Sequence, residues 1–334
     1  MSRHRLSCVL GATGAHGGMR CEQAAYAWPQ HTKNGDENGG RMSLTGVFRA
    51  VPVNATGVAR WGFAFASASI AVWIVVFGQW VPQPLPPAVP LHGMLTYAAA
   101  AVILLASIGL CLARTAVAGV LTLAAYQTVS AALAVPQWLA KPLNVDAWYP
   151  FCEAMTPLAA AVALYAMLRH SWPRLERMRG ERVVLRSAQV VFGLTCVFYG
   201  LSHFTYAAYT ASLVPAWLPD RLLLAYVTGG CHVAAGLAII LGIVPRLAAA
   251  LEAAMMSLFG LAVWVPSFFA YPRPSWATPP SQQWSELVVT FLLAVAAWVV
   301  MLSFRESRGA AKRDTNRALS PYRQSIARDA HLGN

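Results

Sequence analysis

The chain has 334 residues, of which 57% are hydrophobic and only 11% are charged, whereas a soluble domain carries about 25% charged residues. The net charge of +12 raises the question of nucleic-acid binding. The basic residues, however, are concentrated beside long apolar stretches. Composition therefore favours a membrane protein, with the lipid bilayer and no nucleic acid as the expected partner.

The N-terminal segment, residues 1–60, is polar and rich in glycine, and we interpret it as a cytoplasmic tail without ordered structure. Residues 8–17 contain the spacing GxxGxxG, which resembles a dinucleotide-binding turn. Such a turn needs a complete βαβ unit, and the following residues supply none. Met19 or Met42 is an alternative start to Met1, in which case part of the tail is absent from the working protein.

Eight apolar segments follow the tail, and each is close to the length of about 20 residues that crosses a bilayer. They are 61–80, 94–113, 115–135, 150–168, 188–208, 222–243, 247–267 and 285–304. Without water in the hydrocarbon layer, each segment must satisfy its own backbone hydrogen bonds, which only a helix achieves. The sequence predicts an all-α membrane protein with eight transmembrane helices.

Residues 61–168 and 188–304 resemble each other at an offset of about 130 residues. The matching positions are Val81-Pro82 with Val214-Pro215, Arg114 with Arg246, Val135-Pro136 with Val265-Pro266, and Glu153 with Glu286. We predict two tandem four-helix bundles in parallel orientation, joined by a basic cytoplasmic linker, 169–187, and followed by a basic cytoplasmic tail, 305–334.

The loops differ strongly in charge. Six arginines lie between residues 169 and 186, and the segment 305–334 is also basic, while the loops after the odd-numbered helices carry almost no basic residues. Because basic loops stay in the cytoplasm, both termini are expected there, in a bacterial inner membrane.

Several polar residues inside the second half are candidates for a ligand site, since an ionisable group in a membrane is costly. Tyr199 and His203 share one face of the fifth helix, His232 lies near the middle of the sixth, and Glu286 opens the eighth. Imidazole and phenol groups can bond the two carbonyl oxygens of a quinone headgroup, while a carboxylate exchanges protons.

Each of these candidates also has a structural interpretation. His203 can anchor the interface of the membrane, His232 can bond a neighbouring helix, and Glu286 suits the positive end of the helix that it opens. We interpret Glu252 as a structural partner of Arg246 or of the arginine-rich loop.

The remaining motifs indicate packing. Small residues at every fourth position of the sixth helix predict a close helix contact: Gly230, Ala234, Ala238 and Gly242. The six cysteines form no CxxC pair, although Cys196 and Cys231 lie at similar depth on neighbouring helices. Buried free thiols are the more common outcome, and the spacing of Cys and His fits no metal site.

Four short stretches of the second half carry a family resemblance: FYGLSHF at 198–204, ASLVPAWLP at 211–219, AYVTG at 225–229 and RLAA at 246–249. They resemble the DoxX-like family of four-helix bacterial membrane proteins, and the resemblance extends over about 188–304. The resemblance implies a link to quinone-dependent sulfur oxidation or to membrane redox complexes. It implies no intrinsic cofactor, a quinone as the candidate ligand, and redox subunits as the partner proteins. The family has no agreed catalytic residues to carry over.

The sequence leaves three functions open. The first is a quinone-linked or accessory subunit of a membrane redox system, with its site in residues 188–304. The second is a small-solute transporter, which a parallel repeat allows. Against transport, Pro157 is the only proline well inside a predicted segment, and no charged residue is expected at mid-depth. The third is a membrane scaffold or assembly factor without a ligand.

Overall fold

The computed structural model describes residues 55–82, 85, 89–170, 180–269 and 281–304, which form helices and connecting turns without a strand. The helices are α1 (Ala55–Phe77), α2 (His92–Cys111), α3 (Ala116–Ala140), α4 (Tyr149–His170), α5 (Glu181–Thr205), α6 (Ala207–Leu213), α7 (Arg221–Leu241), α8 (Pro245–Phe259) and α9 (Ser281–Phe304). A 3₁₀ turn, Val145–Trp148, precedes α4, and α8 continues through a π turn, Gly260–Trp264, to Val265–Ser267.

Within the described residues, eight helices are long and apolar enough to cross a membrane, and α6 is the short exception. Large apolar side chains are exposed on their outer faces, among them Phe65, Leu105 and Leu261. A helix whose outer face is also apolar is suited to lipid. The prediction of an all-helical, multi-pass membrane protein is therefore confirmed.

The ends of three helices differ from the predicted segments. α1 begins at Ala55, inside the segment predicted to be a tail, and α5 begins at Glu181, inside the predicted linker 169–187. α3 continues past Pro136 to Ala140, because a proline is tolerated in a membrane helix when neighbouring groups satisfy the freed carbonyl. The rest of the predicted N-terminal tail and the tail 305–334 lie outside the described residues.

Helices α4 and α9, the last of each predicted half, are the two most buried of the eight. α4 packs against α5, across the boundary between the predicted halves. α9 packs against α1, where the Phe65 and Phe291 rings meet edge to face at 5.9 Å, and against α5, where Gln189 donates to Ser303 at 3.0 Å. Each central helix therefore contacts the first helix of the other half.

One arginine in each half holds the C-terminal end of a neighbouring helix. Arg60 on α1 donates to the carbonyl oxygens of Leu110 and Cys111 at 3.0 and 2.6 Å, at the end of α2. Arg186 on α5 donates in the same way to two carbonyls at the end of α7. The last carbonyls of a helix lack intrahelical donors, and a cation suits the negative end of the helix dipole. The two contacts are equivalent under the predicted repeat.

Candidate functional site

Glycines allow α5 and α7 to touch at backbone distance. They are spaced seven residues apart on each helix, at Gly193 and Gly200 on α5 and at Gly229 and Gly236 on α7. A Cβ atom added at Gly200 would lie 2.5 Å from the carbonyl oxygen of Gly229, and one at Gly229 would lie 2.8 Å from the Cβ of His203. This close approach places His203 directly against α7.

The predicted stripe of small residues was wrong by one position. Among the described residues, a Cβ at Gly230 or at Gly242 would meet no atom within 4 Å, so neither glycine is needed for a helix contact there. Gly242 instead ends α7 with a φ of +75°, and the amide of the next residue, Ile243, donates to Ala238 at 2.9 Å. A left-handed residue at this place is a common helix terminus that favours glycine.

The two candidate histidines lie side by side between α5 and α7. The ring centroids of His203 and His232 are 5.1 Å apart, with an interplanar angle of 70°. The Phe259 ring of α8 packs against both, at 6.0 Å from His203 and 5.9 Å from His232. Nδ1 of His203 lies 3.0 Å from Oγ1 of Thr228. Three helices therefore enclose the two imidazoles.

His232 also pairs with a carboxylate inside the bundle. Its Nδ1 lies 2.7 Å from Oε1 of Glu252, and the two side chains are only 1% and 2% exposed. The Cys196 thiol lies beside this carboxylate. The second oxygen, Oε2, is buried and makes no hydrogen bond with the described residues. The structure thus pairs Glu252 with His232, whereas most of the arginine-rich loop lies outside the described residues.

The π turn of α8 begins directly after Phe259. A π turn inserts one residue into a helix and occurs often at functional sites. Glu252 and Phe259 are seven residues apart and share a face of the regular part of α8. The π turn thus begins at the residue that follows Phe259, the α8 side chain that contacts both histidines.

Helix α4 of the first half forms another wall of the site. The hydroxyl of Tyr199 lies 3.0 Å from Oγ1 of Thr156, and the hydroxyl of Tyr149 lies 2.5 Å from Oγ of Ser202. The Tyr199 ring is in turn 6.2 Å from the His232 ring. Tyr199 therefore joins the histidines to hydroxyl groups supplied by the first half. We name His203, His232, Glu252, Phe259 and Tyr199 the histidine cluster.

The structure places Glu286 in a second polar group, at the end of the bundle where α4 and α9 begin. Glu286 lies near Glu153, and both carboxylates interact with the Tyr149 phenol. Burial raises the pKa of the Tyr209 phenol, and the charges of Glu286 and Asp146 raise it further. Of the four predicted site residues, the structure brings Tyr199, His203 and His232 together and places Glu286 with Glu153.

The cysteines of the described residues are free. Cys196 is buried beside the histidine cluster, whereas Cys231 is exposed on the outer face of α7, so the two thiols do not pair. Among the residues that the structure describes, no group of three or more His, Cys, Asp or Glu side chains is arranged to hold a metal ion.

The predicted first half holds an aromatic contact after the end of α1. Trp80 donates through Nε1 to Ser130 at 2.9 Å, and its ring lies 5.2 Å from that of Tyr126. The Tyr126 hydroxyl donates to the carbonyl of Val81 at 2.6 Å. These hydrogen bonds are all made within residues 61–168.

Sequence reasoning missed three members of the site: Glu252, Phe259 and Thr156. A sequence signal existed for Glu252, because a carboxylate inside an apolar segment is costly and calls for a partner. Nothing in the sequence distinguishes Phe259 or Thr156 from many similar residues, since their role depends on how α8 and α4 are rotated about their axes.

A family model matches part of this region. Residues 183–265 match the DoxX family, and the matched segment contains Tyr199, His203, His232, Glu252 and Phe259, whereas Glu286 lies beyond it. No curated protein and no solved structure matches the chain. The resemblance inferred from the sequence is thus confirmed over this segment. The chain is a multi-pass membrane protein that carries a segment of the DoxX type.

Proposed function

We propose that the histidine cluster binds the headgroup of a membrane quinone and that the protein is a quinone-linked or accessory subunit of a membrane redox system. The observation that carries this proposal is the placement of two imidazoles and a phenol at one junction of α4, α5, α7 and α8. Such groups match the two carbonyl oxygens of a quinone.

The hydrogen bonds of the cluster define which atoms can meet a ligand. His203 and His232 both use Nδ1 for contacts with protein groups, so Nε2 is the ring nitrogen that would face the headgroup. The Phe259 ring offers a flat apolar surface against which a quinone ring can stack. These groups support a proposed ligand that is aromatic and has polar edges.

Quinone chemistry also needs electrons. The histidine cluster supplies proton donors and acceptors, and the electrons would come from a redox partner protein in or on the same membrane. A site that exchanges protons while a partner supplies electrons is consistent with a subunit of a membrane redox complex, as the family resemblance implies.

Quinone binding by the purified protein tests this function. We expect the protein in lipid nanodiscs to bind a short-chain quinone, and His203→Ala to weaken the affinity by about two- to tenfold, since one hydrogen bond is worth about 0.5–1.5 kcal/mol. His92→Ala is the matched control, because His92 lies exposed at the start of α2. An absence of quinone binding, or equal losses in both variants, would contradict the proposal.

A proton-coupled permease is the second candidate, and one observation favours it. His232, at the middle of α7, and Glu252 on α8 place a pair of ionisable groups inside the bundle, which is typical of proton relays in transporters.

Flux measurements separate the two functions. In proteoliposomes with an imposed pH gradient, a permease would acidify or alkalinise the lumen only when its solute is added, and His232→Gln would abolish the response. A quinone-binding subunit would give no such solute-dependent change. A lumen pH that stays at the background leak for every solute class tested would remove the permease.

A further inference from the structure

We propose that His232 and Glu252 together hold one exchangeable proton, and that this proton decides whether the site prefers the oxidised or the reduced form of its quinone. This inference rests on the proposed function of the histidine cluster. It assigns a role to Glu252 that goes beyond the structural pairing expected from the sequence.

The geometry of the pair supports the exchange. Nδ1 of His232 and Oε1 of Glu252 are 2.7 Å apart, so a proton can lie on either atom without movement of the helices. The second oxygen, Oε2, is buried and makes no hydrogen bond with the described residues. The Cys196 thiol, which lies beside this carboxylate, is another polar group next to the pair.

The state of the pair fixes the role of the other ring nitrogen. When the pair holds its extra proton, His232 has hydrogen on both nitrogens, and Nε2–H donates to a quinone carbonyl oxygen. When that proton leaves to the solution, Nδ1–H remains with the glutamate and Nε2 becomes an acceptor for a quinol hydroxyl. One proton therefore converts a site for the oxidised ligand into a site for the reduced ligand.

The other titratable groups around the pair are arranged differently. On α5 they are Cys196, Tyr199 and His203; on α4 they are Cys152 and Glu153, which lie near Tyr199; and Glu286 on α9 lies near Glu153. His203 bonds Thr228, and Tyr199 bonds Thr156. Within the described part of the site, only His232 and Glu252 bring an imidazole and a carboxylate into direct contact.

The affinity for each ligand form as a function of pH tests this assignment. The full-length protein in nanodiscs is titrated with a short-chain quinone and, separately, with the corresponding quinol under anaerobic conditions, from about pH 5 to pH 9. For the wild type we expect quinone affinity to fall and quinol affinity to rise with pH, each by at most about tenfold per pH unit, the limit for one linked proton. In Glu252→Gln both curves should become flat.

Controls make each outcome decisive. Gln189→Leu removes a different buried polar contact, between α5 and α9, and should keep the wild-type pH profile. His232→Gln should flatten the curves as Glu252→Gln does, and it serves as the second variant if Glu252→Gln does not fold. Glu252→Asp keeps a carboxylic acid, so the ligand affinity of this variant should depend on pH, unlike that of Glu252→Gln.

The results also separate this inference from the proposed function. A wild type that binds neither quinone nor quinol refutes the quinone site itself. A wild type that binds both with pH-independent affinity, or variants that keep the wild-type slopes, would refute only the shared proton and leave the quinone site in place.

Discussion

The buried contact between His232 and Glu252 makes each side chain dependent on the other. We predict that His232→Leu lowers the free energy of unfolding by about 3–5 kcal/mol, because it leaves a buried carboxylate without its partner. The double variant His232→Leu/Glu252→Leu should recover most of this loss, since it removes both polar groups. Unfolding in detergent micelles, followed by circular dichroism, measures the difference. If the double variant is as unstable as the single variant, the unpaired carboxylate is not the cause of the lost stability.

The same contact shows what the sequence can predict about single residues. The shared face of Tyr199 and His203 follows from helical periodicity, and the structure places both in the cluster. The partner of Glu252 is 20 residues earlier in the chain, on a different helix. Its identity depends on the relative rotation and height of α7 and α8, which a single sequence does not encode in any local pattern.

Adjacent glycines of α7 offer a sharp test of helix packing. A Cβ at Gly229 would collide with α5, whereas a Cβ at Gly230 would point into open space. We predict that Gly229→Ala forces α5 and α7 apart, lowers the unfolding temperature and weakens quinone binding by displacing His203. Gly230→Ala should instead stabilise the protein by about 0.5–1 kcal/mol, because alanine favours a helix over glycine. Thermal unfolding of both variants checks this, and equal effects would contradict the observed rotation of α7.

This pair of glycines also explains why the predicted stripe failed. Successive residues of a helix point about 100° apart, so a shift by one position moves the contact face by more than a quarter turn. Small residues at every fourth position predicted that α7 packs closely against another helix. They did not predict which face of α7 makes the contact, because apolar residues lie all around this helix. Hydropathy alone therefore predicts the existence of a membrane helix more reliably than its rotation.

At the scale of the whole molecule, one arginine in each predicted half makes the same kind of contact. Arg60 and Arg186 each bind two carbonyl groups at the end of a different helix. We predict that Arg60→Met and Arg186→Met each lower the free energy of unfolding by about 1.5–3 kcal/mol, the value of a hydrogen bond to a charged group. Because the two contacts share no partner, the losses should add within about 0.5 kcal/mol in the double variant. A strong departure from additivity in unfolding experiments would indicate that the halves do not act independently.

The distribution of basic residues predicts the orientation of the protein in the membrane, and thiol labelling can test this prediction. Leu143, between α3 and α4, and Trp217, between α6 and α7, are 98% and 78% exposed. Gly180, also exposed, lies at the opposite end of the bundle, at the start of α5. In a cysteine-free background, a membrane-impermeant maleimide added to spheroplasts should label Leu143→Cys and Trp217→Cys but label Gly180→Cys only after lysis, because the basic segment next to Gly180 stays in the cytoplasm. Labelling of Leu143→Cys and Trp217→Cys from opposite sides would be incompatible with two crossings, by α4 and α5, between the two loops and with a parallel repeat.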